Sequence, residues 1–314
     1  MKLAVLIPAH NESGTVGEVI RHIPRELPGI ESVQVILLND GSTDDTVLKA
    51  EEAGADLTLS SKMQVGLSQT VRGGFRRALD AEADIVVTID ADGQHDPHDL
   101  RKLIKPIQEK EADIVLGSRF LNRRPEMDKG RSIGNRMFTK VTNFLSGLNL
   151  TDTQTGFRAY SREATLRLNI LSSYTYTQET LIQAADKGLR VQEVPITLRS
   201  RSGRSKLIES LPSYARRAGM TTLTTYLNYK PLRFFLAIGA IVILVGLITG
   251  FRVLIHFVMT GMVQPFLPTA ILTAVLIIVG VQIVTLGLFA EMIKSNREIT
   301  EEIIYELRRR ATTG

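Results

Sequence analysis

Two aspartates with one residue between them, Asp90 and Asp92, follow the apolar run at residues 85–89. That run predicts a strand. Residues two apart on an extended chain point the same way, so both carboxylates arrive on one side. Two carboxylates placed together repel unless a cation lies between them. Oxygen donors of this kind suit Mg2+ or Mn2+ bridging a diphosphate, with Gln94 as a third candidate ligand. Such a metal would neutralise charge developing on a leaving nucleotide diphosphate. Spacing excludes an EF-hand, because Gly93 falls at the fourth loop position instead of the sixth and Arg101 takes the twelfth in place of Glu. By itself an Asp-x-Asp is more often a turn or a surface pair, so neighbouring residues decide.

Two further polar clusters end apolar runs. Pro8-Ala9-His10-Asn11-Glu12 closes the run at 3–8 and precedes a helical pattern at 15–23. This suits nucleotide binding at a topological switch point, although the Gly-x-Gly-x-x-Gly of a dinucleotide fold is absent. Asn39-Asp40-Gly41-Ser42-Thr43-Asp44 closes the run at 33–39. It reads as a turn plus a helix N-cap at Ser42 or Thr43, with Asp40 placed to accept hydrogen bonds from a base or ribose.

The elements that must position these clusters follow from periodicity. Apolar runs at 3–8, 33–39, 85–89, 114–117 and 191–198 alternate with helical stretches such as 43–53, 67–81 and 97–109. Alternation predicts an α/β domain with a mostly parallel sheet, whose ligands sit outside the carboxyl ends of the strands. All three polar clusters fall there. The chain has 314 residues, a net charge of +5, a pI near 9.4, and neither Cys nor Trp. No Lys/Arg-rich run accompanies the basic balance, which favours membrane and phosphate partners and no nucleic acid. Lack of cysteine excludes disulfides and thiolate metal sites and fits a reducing compartment. Residues 1–8 are too short for a signal segment and read as a buried strand, so the soluble part is expected in the cytosol.

Beyond residue 230 the character changes. Segments 234–251 and 266–290 are apolar on all faces and near the roughly 20 residues that cross a bilayer. Those lengths favour two transmembrane helices over a pair of buried core helices. Arg252 ends the first, at an interface where it can snorkel, since mid-bilayer Arg costs about 2.5–3.5 kcal/mol. Lys230, Arg233, Lys294 and Arg297 flank the pair and place both ends in the cytosol, against a weaker opposing bias from Arg252 and His256. Residues 207–229 repeat apolar positions at helical spacing around Arg216 and Arg217, as in a helix lying on the bilayer surface or one packed on the catalytic domain. The expected organisation is a catalytic domain at 1–206, a juxtamembrane amphipathic segment at 207–230, two transmembrane helices within 231–290 and a cytosolic helical tail at 291–314.

Taken together, these residues resemble family 2 glycosyltransferases of the GT-A fold over about residues 1–210. The resemblance rests on five motifs in order: Pro8-Ala9-His10-Asn11-Glu12, Asn39 to Asp44, Asp90-Ala91-Asp92-Gly93-Gln94, Gly117-Ser118-Arg119, and Asp152-Thr153-Gln154-Thr155-Gly156-Phe157-Arg158. It implies that Pro8, Asn11, Glu12 and Asp40 line the nucleotide pocket, that Asp90, Asp92 and Gln94 hold the metal, and that Asp152 lies near the reacting sugar and acceptor. Asp92 and Asp152 are then the candidate catalytic residues. A closer resemblance is to dolichyl- and polyprenyl-phosphate mannosyl- or glucosyltransferases. Their Arg and Gly-x-Ser-Lys segment is matched by residues 199–206, where Arg199 and Arg201 bracket the donor-contacting position. Gln64-Val65-Gly66-Leu67 departs from the Asn/Gly/Lys-rich stretch of many relatives. GDP-mannose and UDP-glucose are both implied as donors, with inversion at the anomeric carbon.

A polyprenyl phosphate is already an anion, so the difficulty is bringing two anions together. Two phosphate charges about 5 Å apart repel by roughly 3 kcal/mol at an effective dielectric near 20. Arginine offsets this by bidentate contact. Arg119 and Arg131 are the candidates for the acceptor phosphate. Arg201 and Lys206 are candidates for a lid over the donor diphosphate, on a Gly203-containing loop whose composition suits a mobile cover. Asp152 is expected to orient the acceptor or stabilise the positively charged transition state. Without Trp the Gln-x-x-Arg-Trp motif of processive synthases cannot exist here. A sugar nucleotidyltransferase would need a Gly-rich loop that residues 8–14 do not supply. The alternatives are a glycolipid synthase using a diacylglycerol-type acceptor and an inactive membrane scaffold. The sequence allows a homo-oligomer and leaves sugar and lipid open.

Overall fold

Strand β1 (Lys2–Ala9) is buried from Leu3 through Ala9. A strand buried on both faces carries an unbroken apolar run and needs helices above and below it. In the computed structural model, β1 sits inside a sheet with the order β3-β2-β1-β4-β6-β5-β7. The structure describes residues 1–121, 129–172, 176–199, 219–220, 223–224 and 226–311, with backbone alone at 129–133. The strands are β2 (Ser32–Asn39), β3 (Leu57–Ser60), β4 (Ile85–Thr88), β5 (Ile114–Ser118), β6 (Arg158–Ser161) and β7 (Val191–Pro195). All neighbours pair parallel except β6, which runs antiparallel to both β4 and β5.

The period of two along each strand divides the core. Leu3, Val5, Ile7, Val35, Leu37, Ile85 and Val87 face one layer, formed by α1 (Val16–Arg21), α2 (Thr46–Glu52) and α4 (Leu100–Gln108). Ala4, Leu6, Ile36, Leu38 and Val86 face the other, formed by α3 (Leu67–Asp80), α6 (Arg162–Arg167) and α7 (Thr177–Asp186). Each fully buried Leu or Ile contributes about 1.5–3 kcal/mol. At Gly74 of α3 a Cβ would lie 2.6 Å from Leu38 Cδ1, so only glycine lets this helix approach the sheet so closely. Helix α5 (Lys129–Ser146) follows β5.

Five strands match the apolar runs of the sequence. Two were not anticipated: β3 is a short, half-exposed edge, and β6 begins on a buried arginine. Helix α2 starts later than the pattern suggested. Asp45 stands at its N-cap, and Asp44 Oδ1 accepts from Thr46 N at 3.1 Å. Ser42, expected with Thr43 as a candidate cap, accepts a hydrogen bond from Asn11 N at 3.0 Å.

The chain divides into two compact units, Met1–Thr225 with Ile304–Gly314, and Tyr226–Ile303. In the first, the last turns of the C-terminal helix pack on α6. Tyr305 Oη donates to Glu163 Oε1 at 3.1 Å, and Arg308 donates to the Leu166 carbonyl at 3.0 Å. The second holds α8 (Pro231–Thr260) and most of α9 (Leu267–Ala311), two helices long and apolar enough to cross a membrane. The buried residues of α8 are Pro231, Gly239 and Gly246, while Ile241, Leu244 and Ile248 stand exposed. This outward apolar surface is the reverse of a soluble core pair. Glycines let the backbones touch: a Cβ on Gly239 would lie 3.0 Å from the Gly280 carbonyl oxygen, and one on Gly280 3.2 Å from that of Gly239.

Candidate active site

The carboxyl ends of β1 and β2 join into one wall. Asn11 adopts a left-handed backbone with φ 55°, which Asn tolerates better than most residues. Its Oδ1 accepts from Thr43 N at 2.8 Å, and Glu12 N donates to Thr46 Oγ1 at 2.8 Å. His10 Nδ1 lies 2.8 Å from the Asp40 carbonyl oxygen. Pro8 is buried within β1, opposite Leu38. Asp40 is buried too, and its carboxylate accepts from Val65 N at 2.7 Å and Gly66 N at 3.1 Å. The sequence reading assigned those oxygens to a base or ribose. Here they anchor the 63–66 loop, and Gly41 leaves room for it, since a Cβ there would lie 2.5 Å from the Met63 carbonyl carbon.

The Asp90–Asp92 segment leaves the end of β4. Asp92 Oδ1 accepts from Gln94 N at 3.1 Å, and Gly93 takes φ 72°, so the segment turns tightly. Asp90 keeps 38% of its side chain accessible and lies 3.5 Å from Nε2 of the buried His95. Burial opposes its charge, but the His95 hydrogen bond and charge, with the Arg119 and Arg158 guanidiniums, hold the carboxyl below the usual range. His95 Nδ1 has no hydrogen-bond partner among the described residues. Gly156 makes the space for Asp90: a Cβ there would lie 2.5 Å from both carboxylate oxygens.

Among the described residues no cluster of three or more His, Cys, Asp and Glu side chains converges on a metal position. A carboxylate pair is the donor set that Mg2+ accepts when substrate phosphates and water complete its shell. Asp90 and Asp92 fit that pattern, and Asp90 is held ionised. The backbone carbonyl of Gln94 accepts from Arg199 N at 2.9 Å.

Asp152 and Arg119 face each other. Asp152 is fully buried. Its Oδ2 accepts from Arg119 Nε at 2.6 Å, its Oδ1 from Nη2 at 2.9 Å, and Asn135 Nδ2 and Gln154 N approach at 3.4 and 3.3 Å. Burial opposes ionisation, but the Arg119 charge and hydrogen bonds outweigh it and keep this carboxyl low. Glu193 of β7 holds the loop from behind, accepting from Thr151 N at 2.7 Å and Asp152 N at 2.8 Å. The sequence reading sent Asp152 to the sugar and Arg119 to the acceptor phosphate as separate agents. The structure joins them as a bidentate ion pair.

Arg158, at the start of β6, is also fully buried. It donates to the carbonyls of Thr155, Thr177 and Thr153 at 2.8, 2.8 and 2.9 Å, tying the 152–157 loop to α7. Arg199, one of two candidates for the donor contact, ion-pairs with Asp96 at 3.1 Å and Glu18 at 3.7 Å. Arg201, Lys206 and the Arg131 side chain lie outside the described residues. Sequence reasoning gave no role to His95, Gly156, Arg158, Asn135 or Glu193. Arg158 and Gly156 were visible inside a motif, whereas Asn135 and Glu193 carried no local signal.

A family model described as Glycosyl transferase family 2 matches residues 4–168. Glycosyltransferase AglJ of Haloferax volcanii is 29% identical over 299 residues, covering 93% of this chain and 94% of that one. A UDP-N-acetylglucosamine–dolichyl-phosphate N-acetylglucosaminyltransferase of Methanococcus voltae is 31% identical over 216 residues, covering 61% and 83%. Among solved structures, glucosyl-3-phosphoglycerate synthase from Mycobacterium tuberculosis in complex with Mn2+, UDP-glucose and phosphoglyceric acid matches with a TM-score of 0.55 at 25% identity, over 72% of this chain and 79% of that one.

Proposed function

The chain is a glycosyltransferase of family 2 with the GT-A fold, and from that premise we propose that it transfers a hexose from a nucleotide sugar to a polyprenyl or dolichyl phosphate, with inversion. The observation that carries the reading is that the Asp90 carboxylate, seated against Gly156, feels the charge of Arg119, which is itself ion-paired to Asp152 at the head of the same loop. A dolichyl-phosphate acceptor in the name of the Methanococcus relative supports it.

Asp90 and Asp92, with Gln94, would hold Mg2+ or Mn2+, as the Mn2+ complex of the structural neighbour suggests. When bound, the metal neutralises the leaving diphosphate. The wall of Pro8, Asn11, Glu12 and Asp40 receives the nucleotide, Asp40 acting by fixing the 63–66 loop. Arg201 and Lys206 remain the proposed donor cover, and Arg199 is a strut between Asp96 and Glu18. Arg119 receives the acceptor phosphate together with Arg131. Asp152 holds the Arg119 guanidinium at a set angle, which makes it a positioning residue. The acceptor needs little deprotonation, so no strong base is required. Helices α8 and α9 span the bilayer, and Lys230, Arg233, Lys294 and Arg297 favour a catalytic unit in the cytosol. Anchoring raises the local concentration of an insoluble acceptor.

The test is transfer in detergent: labelled GDP-mannose, UDP-glucose and UDP-N-acetylglucosamine against short polyprenyl phosphates, with and without Mg2+ or Mn2+. Absence of lipid-linked product across the panel overturns the reading. Near-full turnover by Asp152→Asn, with donor binding unchanged, removes the assigned role of Asp152.

A further inference from the structure

His95 closes the turn that carries Asp90 and Asp92, and it is 4% exposed. The backbone on both sides of it is tied to residues 197–199. His95 itself bridges to Leu198 in the antiparallel sense, the Gln94 carbonyl accepts from Arg199 N at 2.9 Å, and Thr197 N donates to Asp99 Oδ2 at 2.5 Å. The imidazole is held as well. Its centroid lies 5.4 Å from that of the Phe157 ring, with the planes inclined at 38°. Phe157 is fully buried, and its carbonyl accepts from Gly117 N at 2.9 Å. A side chain fixed at its backbone and against its ring has little freedom to turn, and its Nε2 lies 3.5 Å from Asp90 Oδ2.

Asp90 needs such a neighbour. A carboxylate turns broadly about its Cβ–Cγ bond, whereas a metal ligand must present its oxygens in one plane. Gly156 bounds one side of the Asp90 carboxylate, since a Cβ there would lie 2.5 Å from both oxygens. That close approach limits where the group can go without orienting it. A donor to one oxygen does orient it, and carboxylates that bind metals are commonly hydrogen-bonded in this way.

We propose that His95 is a positioning residue for the metal: its Nε2 carries a proton, donates a hydrogen bond to Asp90 Oδ2, and sets the plane in which that carboxylate meets Mg2+ or Mn2+. His95 has this role only if Asp90 and Asp92 are the ligands that the proposed function makes them. The 3.5 Å separation stands at the outer edge of hydrogen-bond reach, and contacts of this kind commonly shorten as the reacting complex forms. Burial works against the Asp90 charge, and the His95 hydrogen bond is the largest influence that offsets it. The competing role is packing alone, a flat ring filling the space beside Phe157. Packing needs the ring and no nitrogen. Positioning needs a donor at the ε position.

Three variants of the full-length protein in detergent separate the two roles. His95→Gln keeps an N–H near the Nε2 position and loses the ring. His95→Asn places its N–H near the Nδ1 position, short of Asp90. His95→Phe keeps a ring and loses both nitrogens. Mn2+ binding is read without turnover, from the loss of the free-ion electron paramagnetic resonance signal, with UDP and separately with GDP. The wild type should bind Mn2+ with one of these nucleotides, and Asp90→Asn should lose that binding. His95→Phe and His95→Asn should weaken Mn2+ binding by roughly 10- to 100-fold, while His95→Gln stays close to the wild type. Wild-type Mn2+ affinity in His95→Phe, or a loss in His95→Gln equal to that in His95→Asn, overturns the positioning role and leaves the metal site standing. Wild-type affinity in Asp90→Asn, or no Mn2+ bound by the wild type with either nucleotide, removes the metal reading and the role of His95 with it. If thermal melting shows His95→Phe to be unfolded, the contrast between His95→Gln and His95→Asn decides.

Discussion

Replacing Gly156 by alanine should displace Asp90 and little else. The Gly156 backbone lies outside the left-handed region, so alanine meets no conformational penalty. The added methyl would stand 2.5 Å from both Asp90 carboxylate oxygens, and contacts under 3.0 Å do not persist. Something must retreat by at least half an ångström. The backbone of residue 156 is pinned, because its carbonyl accepts from the buried Thr88 hydroxyl at 2.7 Å and Phe157 and Arg158 behind it are fully buried. Asp90, with 38% of its side chain accessible, is the group free to yield. A misplacement of about 1 Å in a reacting constellation costs on the order of 100-fold. Gly156→Ala should therefore lower kcat/KM by about 10- to 100-fold, or about 1.4–2.7 kcal/mol of transition-state stabilisation. Transfer rates across a Mn2+ titration should show a raised half-saturation for metal, while stability falls by no more than the about 1–3 kcal/mol of an overpacked site. A folded Gly156→Ala enzyme with wild-type rate and wild-type metal half-saturation would refute the assignment of Asp90.

Arg119→Ala strands a fully buried carboxylate and should destabilise by about 3–5 kcal/mol; the Arg119→Leu/Asp152→Leu double variant should recover much of this, and denaturation midpoints of the two variants decide it. The folded-state pKa of Asp152 is depressed, so its contribution is complete above the unfolded carboxyl value of about 3.9 and is lost as pH falls through the lower folded value. Melting temperature should accordingly drop on acidification below about pH 4, with a shallower drop in the double variant. Gly73→Ala, in the middle of α3 with no atom within 4 Å of its added methyl, should stabilise by about 0.8–1 kcal/mol through helix propensity and leave turnover unchanged; a lowered midpoint would contradict the open space seen there. Gly280→Leu should separate α8 from α9, because even a Cβ meets Ile243 at 2.5 Å, and should lower the melting temperature of the purified protein in detergent.

Of the five strands legible in the sequence, β7 is half-buried throughout, whereas β1, β2, β4 and β5 are buried along most of their length. Their apolar runs are unbroken, and their trailing polar residues mark where ligands approach. Strand β6 was not legible, because a four-residue strand starting with Arg158 contradicts the expectation that arginine is exposed. Only the fold brings the Thr153, Thr155 and Thr177 carbonyls around that guanidinium. Its direction hid a further point. A parallel strand offers the site the loop that follows it, whereas antiparallel β6 offers the loop that precedes it, 152–157. Asp90 and Asp92 stood out as candidates from their spacing together with the neighbouring motifs. The partnership of Arg119 with Asp152 had no such signal, since the two lie 33 residues apart and meet only because β5 and β6 are neighbours. Asp40 reads from the sequence as an acceptor for a base or ribose, and in the structure its oxygens also hold two backbone amides. The amides of Val65 and Gly66 that occupy them arrive from beyond β3, a strand the sequence did not announce.

The glycine seam between α8 and α9 bears on the fate of the product. Where Gly239 meets Gly280 the backbones are in contact, and Gly246 and Gly287 press likewise against Ile277 and Phe235. Two helices this close enclose no lumen, and their outer surfaces are the apolar side chains that lipid tails accept. A sugar headgroup carries hydroxyls that need water or protein partners throughout a crossing, and this hairpin offers no sheltered path for them. On the proposed function, a glycolipid made at one leaflet gains no path to the other through this pair of helices.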